Sequence, residues 1–333
     1  MVSVTAVRSS GGGKRSSGYP RRVARDLLLY SLREHRELIE RCLAVAAPKR
    51  VVEIGSEAGG FTREMVDWAE RNDAHFTTVE PYPIDEVRDL AERHAGAFEL
   101  VVGRSPAALA DVAPADVYVV DGDHNHWTVL RELRAIYSDG REPLTILHDV
   151  GWPCARRDQY YSPRRLPPEA VHEHSYDEGR VPGRSELARG GFGGAGEFAV
   201  ATEEGGPRNG VLTAVDDFVA EREGLVYAHV PVVFGLGVLY STRAPYAEEL
   251  RVLLEPWDRN ELLERLERNR VELYSAVLEL QEAARELDAG RDRVLLRYAT
   301  RLGDLEAENA ALRLERARLR EALDASSAGL SAR

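Results

Sequence analysis

Residues 50–62 read RVVEIGSEAGGFT, a short apolar run that carries Glu53 and is followed by Gly55 and Gly59. Short continuous apolar runs are typical of strands buried on both faces of a sheet, so the stretch predicts a strand over Arg50–Ile54. A glycine-rich turn after such a strand lets a ligand approach the backbone closely. The simpler alternative is a tight turn that binds nothing.

An alternation of strands and helices extends outward from this stretch. The further predicted strands are His75–Glu80, Phe98–Val102, Asp116–Asp121 and Leu144–His148. The predicted helices between them are Phe61–Arg71, Asp85–Ala95, Pro106–Val112 and Trp127–Ser138. Strands that alternate with helices at this spacing predict an α/β fold with a doubly wound, mostly parallel sheet.

The alternation is interrupted once and then resumes. We expect a helix over Val211–Glu223 and then two strands, Val226–Pro231 and Val233–Tyr240, which form an antiparallel pair at the sheet edge. A further helix is expected ahead of the first strand, from about Arg22 to Ala47. These elements predict one domain over residues 22–245, preceded by a disordered basic tail over residues 1–21.

Composition narrows the class of protein. The 333 residues include 44 basic and 56 acidic side chains, a net charge of −12, which is unfavourable for binding nucleic acid. No apolar run is long enough to span a membrane, and no signal peptide is recognisable, so we expect a cytoplasmic protein. The two cysteines, Cys42 and Cys154, exclude a disulfide scaffold, and we expect Cys154 to be buried or inert.

Residues 151–209 lack any clear periodicity and begin at the end of the fifth predicted strand. Long irregular segments inside a domain are usually functional or disordered, and we interpret this one as a lid that binds an acceptor molecule. Trp152, Tyr160 and Tyr161 are expected to offer planar surfaces to that acceptor. His172 and His174 could supply metal ligands, although two histidines in a loop are weak evidence.

Leucines recur every seven residues between residues 258 and 325. The first series is Leu266, Leu273, Leu280 and Leu287, and the second is Leu305, Leu312 and Leu319. This spacing predicts a coiled-coil helix that joins copies of the chain into a homo-oligomer. The alternative is an amphipathic helix that folds back on its own domain.

Acidic and imidazole side chains follow the fourth and fifth predicted strands. Asp121, Asp123 and His124 follow the fourth, and His148 and Asp149 end the fifth. Ligands of open parallel sheets bind at the carboxyl ends of the strands, so we expect these groups to meet at one edge. Carboxylates at neighbouring strand ends suit a hard divalent cation such as Mg²⁺, although Asp149 could simply end its strand. Asp123 could instead cap the following helix.

The pattern E-x-G-x-x-x-G, followed by an acidic residue at the end of the second strand, resembles the cofactor site of class I S-adenosylmethionine-dependent methyltransferases. The resemblance covers roughly residues 45–245 and implies a Rossmann-like methyltransferase fold with S-adenosylmethionine as cofactor. In this family Glu53, Gly55 and Gly59 would lie near the amino-acid part of the cofactor. Glu80 would bind the ribose hydroxyls, and Ser105 would lie near the adenine. The full set of implied cofactor contacts is Glu53, Gly55, Ser56, Gly59, Glu80, Ser105 and Asp121.

The strand-end acids further resemble metal-assisted O-methyltransferases of sugars and antibiotic scaffolds, including a cephalosporin-hydroxylase-like group. That resemblance implies Mg²⁺ on Asp121 and Asp149, where His148 replaces one acid of the family's usual pair. It also implies that Asp123 is the general base, with His124 and His148 as alternatives. A metal-bound hydroxyl loses its proton more readily, which suits methyl transfer to oxygen.

These expectations predict an O-methyltransferase acting on a hydroxyl of a small glycosylated or polyhydroxylated metabolite, with Mg²⁺ assistance. One alternative is a non-catalytic cofactor-binding or scaffold protein whose working part is the coiled coil. The other is a hydroxylase-like reaction on the same fold, in which His148, Asp149 and Asp121 would hold a redox-active metal.

Overall fold

A computed structural model describes residues 30–194, 196 and 198–331. The predicted tail over residues 1–21 and the expected helix start near Arg22 lie outside these residues. The chain divides into two compact units, with the boundary after Leu278. Within the described part of the chain, no helix is both long and apolar enough to cross a membrane.

A seven-stranded sheet forms the centre of the first unit, in the order β3-β2-β1-β4-β5-β10-β9. All neighbouring pairs are parallel except those made by β10, which runs antiparallel to both β5 and β9. The strands of this sheet are β1 (Arg50–Ile54), β2 (His75–Glu80), β3 (Phe98–Val102), β4 (Val117–Val120), β5 (Leu144–His148), β9 (Leu225–Val230) and β10 (Leu236–Ser241). The predicted doubly wound sheet and its antiparallel edge pair are therefore confirmed.

Among the described residues, seven α-helices accompany the strands. They are α1 (Arg36–Ala46), α2 (Gly60–Arg71), α3 (Asp85–Arg93), α4 (His126–Ile136), α5 (Val211–Ala220), α6 (Ala247–Leu254) and α7 (Glu261–Ser331). The expected helix over Pro106–Val112 is a 3₁₀ helix, Ala107–Asp111. The helix expected from about Arg22 to Ala47 is not continuous, because Tyr30 and Ser31 are not helical and Leu32–His35 is a 3₁₀ turn before α1. Helix α6 was not predicted from the sequence.

Strand alternation divides the core into two layers. Val51 of β1 packs in the layer that contains α1, α2 and α3, whereas its neighbour Val52 packs in the layer that contains α4 and α5. Successive side chains of a strand point to opposite faces, so a sheet covered on both sides needs apolar residues at every position. This requirement explains the continuous apolar runs of the sequence.

The segment over residues 151–209 is more regular than its sequence suggests. It contains three short strands, β6 (Gln159–Tyr160), β7 (His174–Ser175) and β8 (Ala199–Ala201), which form an antiparallel sheet in the order β6-β8-β7. The expectation of a structureless segment is wrong. Strands of two or three residues are too short for a periodicity to be recognised in sequence.

Helix α7 is the predicted C-terminal helical extension. Asn260 caps it by accepting hydrogen bonds from the backbone N–H groups of Leu262 and Leu263. Its early turns belong to the first unit, where Val271 is buried with Phe234. The repeated leucines do not share that burial, and Leu280 and Leu287 of the second unit are 71% and 75% exposed.

Candidate functional site

The glycine-rich turn between β1 and α2 is conformationally demanding. Gly55 has φ +90°, and a Cβ placed there would lie 2.3 Å from the carbonyl oxygen of Asp121. Gly59 caps α2 at φ +68°, and its Cβ would meet the Val87 side chain at 2.6 Å. Only glycine satisfies both requirements, so the turn brings the β1 and β4 ends together at close range.

Glu53 lies beneath this turn. Its carboxylate is buried and accepts hydrogen bonds from the hydroxyl groups of Thr62 at 2.8 Å and Thr78 at 2.6 Å. Burial raises the pKa of Glu53 to about 8, although the two threonines oppose that shift. The structure therefore places Glu53 as a support of the turn that joins β1, β2 and α2.

Glu80 stands at the end of β2 and reaches across to the turn. One carboxylate oxygen accepts the backbone N–H of Ser56 at 3.0 Å, and the other accepts the N–H of Tyr82 at 2.9 Å. Glu80 is half-buried, so the carboxylate is fixed by backbone groups on two sides and still reaches the surface. A fixed acid at this strand end is suited to accepting hydrogen bonds from a ribose diol.

Ser105 does not present a free hydroxyl to a ligand. Its Oγ donates to the carboxylate of Glu132, a fully buried residue of α4. Burial raises the pKa of Glu132 to about 8, and its second carboxylate oxygen has no hydrogen-bond partner among the described residues. This buried carboxyl was not singled out from the sequence. Its signal is a charged residue on the apolar face of α4, between Val129 and Ile136.

Three metal-ligating side chains converge at the ends of β4 and β5. One donor atom from each of Asp121, His148 and Asp149 lies within 4.8 Å of the other two. The Nδ1 atom of His148 is 3.2 Å from Asp121 Oδ1 and 3.4 Å from Asp149 Oδ2. Asp149 has φ +59°, an uncommon conformation for a residue with a side chain and one that is found at functional sites.

The other ring nitrogen of His148 is held by the backbone. Nε2 lies 2.9 Å from the carbonyl oxygen of Val233 and must carry the proton, because a carbonyl only accepts. The neutral imidazole then has its lone pair on Nδ1, which faces the two carboxylates. A backbone partner that fixes the tautomer in this way is a common feature of metal-ligating histidines.

His124 extends the same cluster. Its Nε2 lies 2.7 Å from Asp149 Oδ2 and 3.6 Å from Asp121 Oδ1. Both ring nitrogens are buried, and neither makes a hydrogen bond of normal geometry to any described residue. Two carboxylates and two imidazoles therefore lie together, and His124 Nε2 is ion-paired with Asp149 without a hydrogen bond of normal geometry.

Without a cation, this cluster is neutralised by protons. Burial alone would lower the pKa of His148, but Asp121 and Asp149 raise it to about 10. Asp149 and Asp121 likewise hold the pKa of His124 well above its usual value despite its burial. The two imidazoles in turn hold the pKa values of Asp121 and Asp149 below the usual range of a carboxyl. A divalent cation would supply the same compensating charge.

Asp123 lines one small cavity with Asp121, His124 and His148. Burial raises its pKa, and its carboxylate accepts hydrogen bonds from the His124 backbone N–H at 3.1 Å and the Thr128 hydroxyl at 3.4 Å. The expected alternative, that Asp123 caps α4, is wrong. The cap is Asn125, whose side chain accepts the Thr128 backbone N–H at 2.9 Å.

The irregular segment is anchored beside this cavity by Asp158. This fully buried carboxylate accepts the backbone N–H groups of His126 at 2.8 Å and Gly210 at 2.6 Å. It also accepts the hydroxyl of Tyr160 at 2.9 Å. Tyr160 is fully buried, so the expectation that it offers a planar surface to an acceptor is wrong.

Tyr161 lies near His124 and is partly exposed. It is 53% exposed, and its ring centroid lies 6.1 Å from that of His124.

His172 and His174 bond backbone carbonyl groups of Arg208 and His172, respectively, and neither joins the metal-ligand cluster found among the described residues. Cys154 is buried and its thiol pKa is raised by that burial, as expected of an inert thiol.

The donor set fits a divalent cation. Two carboxylates and the Nδ1 atom of His148 converge, and the Val233 carbonyl already fixes the tautomer of His148. The Nε2 atom of His124 lies next to them. Imidazole nitrogen is a better ligand for Mn²⁺, Fe²⁺ or Zn²⁺ than for Mg²⁺. The predicted pair Asp121 and Asp149 is thus joined by His148, which the sequence offered both as a candidate base and, in the hydroxylase-like alternative, as a ligand of a redox-active metal.

Part of the chain matches a known family of proteins. Residues 52–149 match a family model described as a methyltransferase domain. A search of curated proteins finds no match. The matched residues run from β1 to Asp149, so they contain the glycine-rich turn, Glu80 and the strand-end cluster.

Several solved structures are similar to parts of this chain. A methyltransferase of Podospora anserina, bound to S-adenosylhomocysteine, is 17% identical over 63% of this chain and 79% of that one, with a TM-score of 0.40. Human N-acetylserotonin methyltransferase, in complex with S-adenosylmethionine, is 14% identical over 62% of this chain and 51% of its own, with a TM-score of 0.35. An O-methyltransferase from neocarzinostatin biosynthesis is 16% identical over 62% and 55% of the two chains, with a TM-score of 0.33. Similarity at this level does not indicate an acceptor.

Proposed function

We propose that this chain, which carries a class I S-adenosylmethionine-dependent methyltransferase domain, transfers a methyl group to a hydroxyl of a small glycosylated or polyhydroxylated metabolite with the help of a divalent cation. The observation that carries the proposal is the convergence of Asp121, His148 and Asp149 beside the glycine-rich turn. Carboxyl ends of neighbouring parallel strands are where this type of sheet binds its ligands.

The cofactor would be held at the β1 and β2 ends. Glu80 is fixed by Ser56 and Tyr82 and would accept the ribose hydroxyls, while the turn at Gly55 to Gly59 leaves room for the amino-acid part. When bound, S-adenosylmethionine supplies an electrophilic methyl group on a sulfonium ion. Glu53 would support the turn without contacting the cofactor, because its carboxylate already accepts hydrogen bonds from Thr62 and Thr78.

The cation would be held by Asp121, His148 and Asp149, with His124 as a further neighbour. When bound, it would lower the pKa of an acceptor hydroxyl and orient it. Because imidazole is part of the ligand set, we propose a transition-metal ion such as Mn²⁺ in place of the Mg²⁺ expected from the sequence.

We assign the general base to Asp123. A base must be unprotonated at working pH and free to face the acceptor, whereas His148 would be a ligand of the cation and Nε2 of His124 lies 2.7 Å from Asp149 Oδ2. His148 also has both ring nitrogens engaged. Asp123 lines the same cavity, and burial raises its pKa toward the range useful for accepting a proton.

The polar side chains at the ends of β4 and β5 support a hydroxyl-rich acceptor. Asp121, Asp123 and His124 lie there, and their carboxylates and imidazole match the hydrogen-bonding groups of a sugar or polyol. Tyr161 stands over His124 and would provide a planar surface for a ring of the acceptor. The segment over residues 151–209 would then serve as the acceptor-binding lid.

We further propose that the second unit joins copies of the chain. Within residues 279–321, the leucines of the seven-residue repeat are exposed in the single chain, and such a stripe is the seam of a coiled coil. A second copy of this helix offers the same stripe and is therefore a suitable partner. The segment 258–325 would be an assembly element that follows the catalytic domain over residues 22–245.

Calorimetric titration tests the proposal directly. The protein is titrated with S-adenosylmethionine, and separately with Mn²⁺ and Mg²⁺, beside the variants Glu80→Gln and Asp121→Asn. We expect micromolar cofactor binding that Glu80→Gln weakens about tenfold, and Mn²⁺ binding that Asp121→Asn abolishes. The surface variants Glu86→Gln and Asp89→Asn serve as matched controls. A wild-type protein that binds neither ligand would contradict the proposed function.

A second candidate function rests on the imidazole of His148. A site of two carboxylates and one or two histidines also suits a redox-active iron, as in a hydroxylase-like reaction. Metal analysis of the purified protein distinguishes the two. Bound iron together with oxygen consumption in the presence of a reductant would favour oxidation, whereas methyl transfer in the absence of oxygen would favour the first proposal.

A further inference from the structure

The turn between β9 and β10 has an unusual backbone. Val233, Phe234 and Gly235 have φ values of +48°, +64° and +87°, so three consecutive residues lie in the left-handed region. Glycine adopts this conformation freely, but a β-branched residue such as Val233 is an outlier there. Such strain persists only where the surrounding structure holds it in place.

This turn contacts the metal-ligand cluster on both sides of Asp149. The carbonyl oxygen of Val233 accepts Nε2–H of His148 at 2.9 Å, and the carbonyl of Phe234 accepts the backbone N–H of Gly151 at 2.6 Å. The conformation of the turn therefore decides where the imidazole of His148 and the backbone after Asp149 lie.

Helix α7 holds the turn from the other side. The carboxylate of Glu267 accepts the backbone N–H of Phe234 at 3.0 Å and is paired with Arg270 at 2.6 Å. The guanidinium of Arg270 lies over the Phe234 ring, 5.3 Å from its centroid, and Val271 packs against the same residue. Glu267 is largely buried, and Arg270 and the turn's N–H groups hold its pKa below the usual range.

We propose that Glu267 is a positioning residue for the metal site. Its carboxylate holds the strained 232–235 turn, and through the Val233 carbonyl it keeps the Nδ1 atom of His148 aimed at Asp121 and Asp149. The first turns of α7 are thus part of the site as well as the start of a helical extension. The metal part of this inference rests on the proposed function.

Three variants test the inference. Glu267→Ala removes the acceptor, Glu267→Gln retains an oxygen for the Phe234 N–H, and Glu264→Ala removes a helix acid that pairs only with Arg268 on the exposed side. Mn²⁺ affinity should fall about tenfold or more in Glu267→Ala, as for other groups that orient metal ligands, and stay within about twofold in the other two. Affinity for S-adenosylmethionine should stay within about twofold in all three.

A magnetic-resonance measurement reports on the same contact without a metal. In protein labelled with ¹⁵N-histidine, the Nε2–H signal of His148 should be protected from exchange in the wild type and lose that protection in Glu267→Ala. If the wild type binds no Mn²⁺, the proposed metal site fails, while this signal still decides whether Glu267 positions His148.

The double variant Val233→Gly/Glu267→Ala separates strain from general stability. Glycine adopts φ +48° without cost, so this variant should recover part of the affinity and of the exchange protection lost in Glu267→Ala. Unchanged metal affinity and exchange protection in Glu267→Ala would overturn the inference. So would an equal loss of cofactor affinity, or a double variant no better than the single one.

Discussion

At the scale of single residues, the site is dominated by buried titratable groups. Glu53 and Glu132 are carboxyls whose pKa values burial raises to about 8, whereas Asp121 and Asp149 stay ionised because His124 and His148 neutralise them. The difference is the presence of a positive partner, since threonine and serine hydroxyls offset burial only in part.

The raised pKa of Glu132 leads us to expect that the stability of the folded protein depends on pH. The unfolded chain releases this proton near the ordinary pKa of 4.5 and the folded chain only near 8, so wild-type stability falls as the pH rises between these values. Glu132→Gln keeps an acceptor for Ser105 and cannot ionise. We expect its melting temperature to match that of the wild type near pH 4.5 and to exceed it by about 10 °C at pH 9, because the two pKa values of Glu132 differ by about 3.5, which corresponds to roughly 5 kcal/mol.

Thermal melts across this pH range provide the measurement. Glu86→Gln, an exposed position in α3, is the control and should shift the melting temperature equally at both ends. A Glu132→Gln difference that does not change with pH would mean that Glu132 is ionised in the folded protein throughout.

Because the imidazoles of the cluster bind protons, we expect the metal affinity to depend on pH. His148 has its pKa raised to about 10 in the metal-free cluster, so a cation must displace its proton. Affinity should therefore rise with pH below 10, by about tenfold per unit for each proton displaced. Calorimetry of Mn²⁺ binding in buffers of different ionisation enthalpy measures the released protons, and a buffer-independent heat would contradict the prediction.

At the scale of elements, the irregular segment depends on one anchor. Asp158 ties β6 to the start of α4 and to the start of α5 through three buried hydrogen bonds. Its position explains how a segment without a recognisable periodicity can keep a defined place beside the cavity. The hydroxyl of Tyr160 donates to Asp158, so Tyr160 is part of this anchor, and Tyr161 is the tyrosine beside His124.

Replacing that anchor should release the segment. Asp158→Ala leaves three buried donors without a partner, at about 1–3 kcal/mol each. We expect faster hydrogen exchange over residues 158–175 and loss of methyl transfer, with cofactor affinity retained. Asp177→Ala, an exposed acid of the same segment, is the control; equal exchange in both variants would show that Asp158 is not the anchor.

At the scale of the whole molecule, the boundary between the two units falls within α7, after Leu278, and the residues on either side of it differ in their contacts. Residues before it, including Glu267 and Val271, pack within the first unit. Residues after it carry the exposed leucines of the repeat. The sequence raised two alternatives for this helix. Packing against the domain applies to its first part, and pairing with another copy is proposed for its second part.

Truncation distinguishes these parts. A chain ending at Leu278 keeps Glu267 and should retain cofactor and Mn²⁺ affinity while its assembled mass falls to that of a monomer. A chain ending at residue 257 should also lose metal affinity. Light scattering and calorimetry measure the two quantities, and an unchanged assembled mass after the first truncation would contradict assembly through the leucine repeat.

The sequence by itself determined the sheet, the positions of the strand ends and the family resemblance. Apolar runs, glycines and strand-end acids are local signals, and parallel topology brings Asp121 and Asp149 to one edge without further information. The sequence offered His148 both as a base and as a metal ligand, and the tertiary structure decided that it lies with those carboxylates, that Tyr160 is buried and that Glu132 lies under the site. The decisive contacts link residues that are distant in the chain, 27 positions apart for His148 and Asp121 and 85 for His148 and Val233. Periodicity reports which face a residue takes, whereas packing alone decides which distant backbone group meets it.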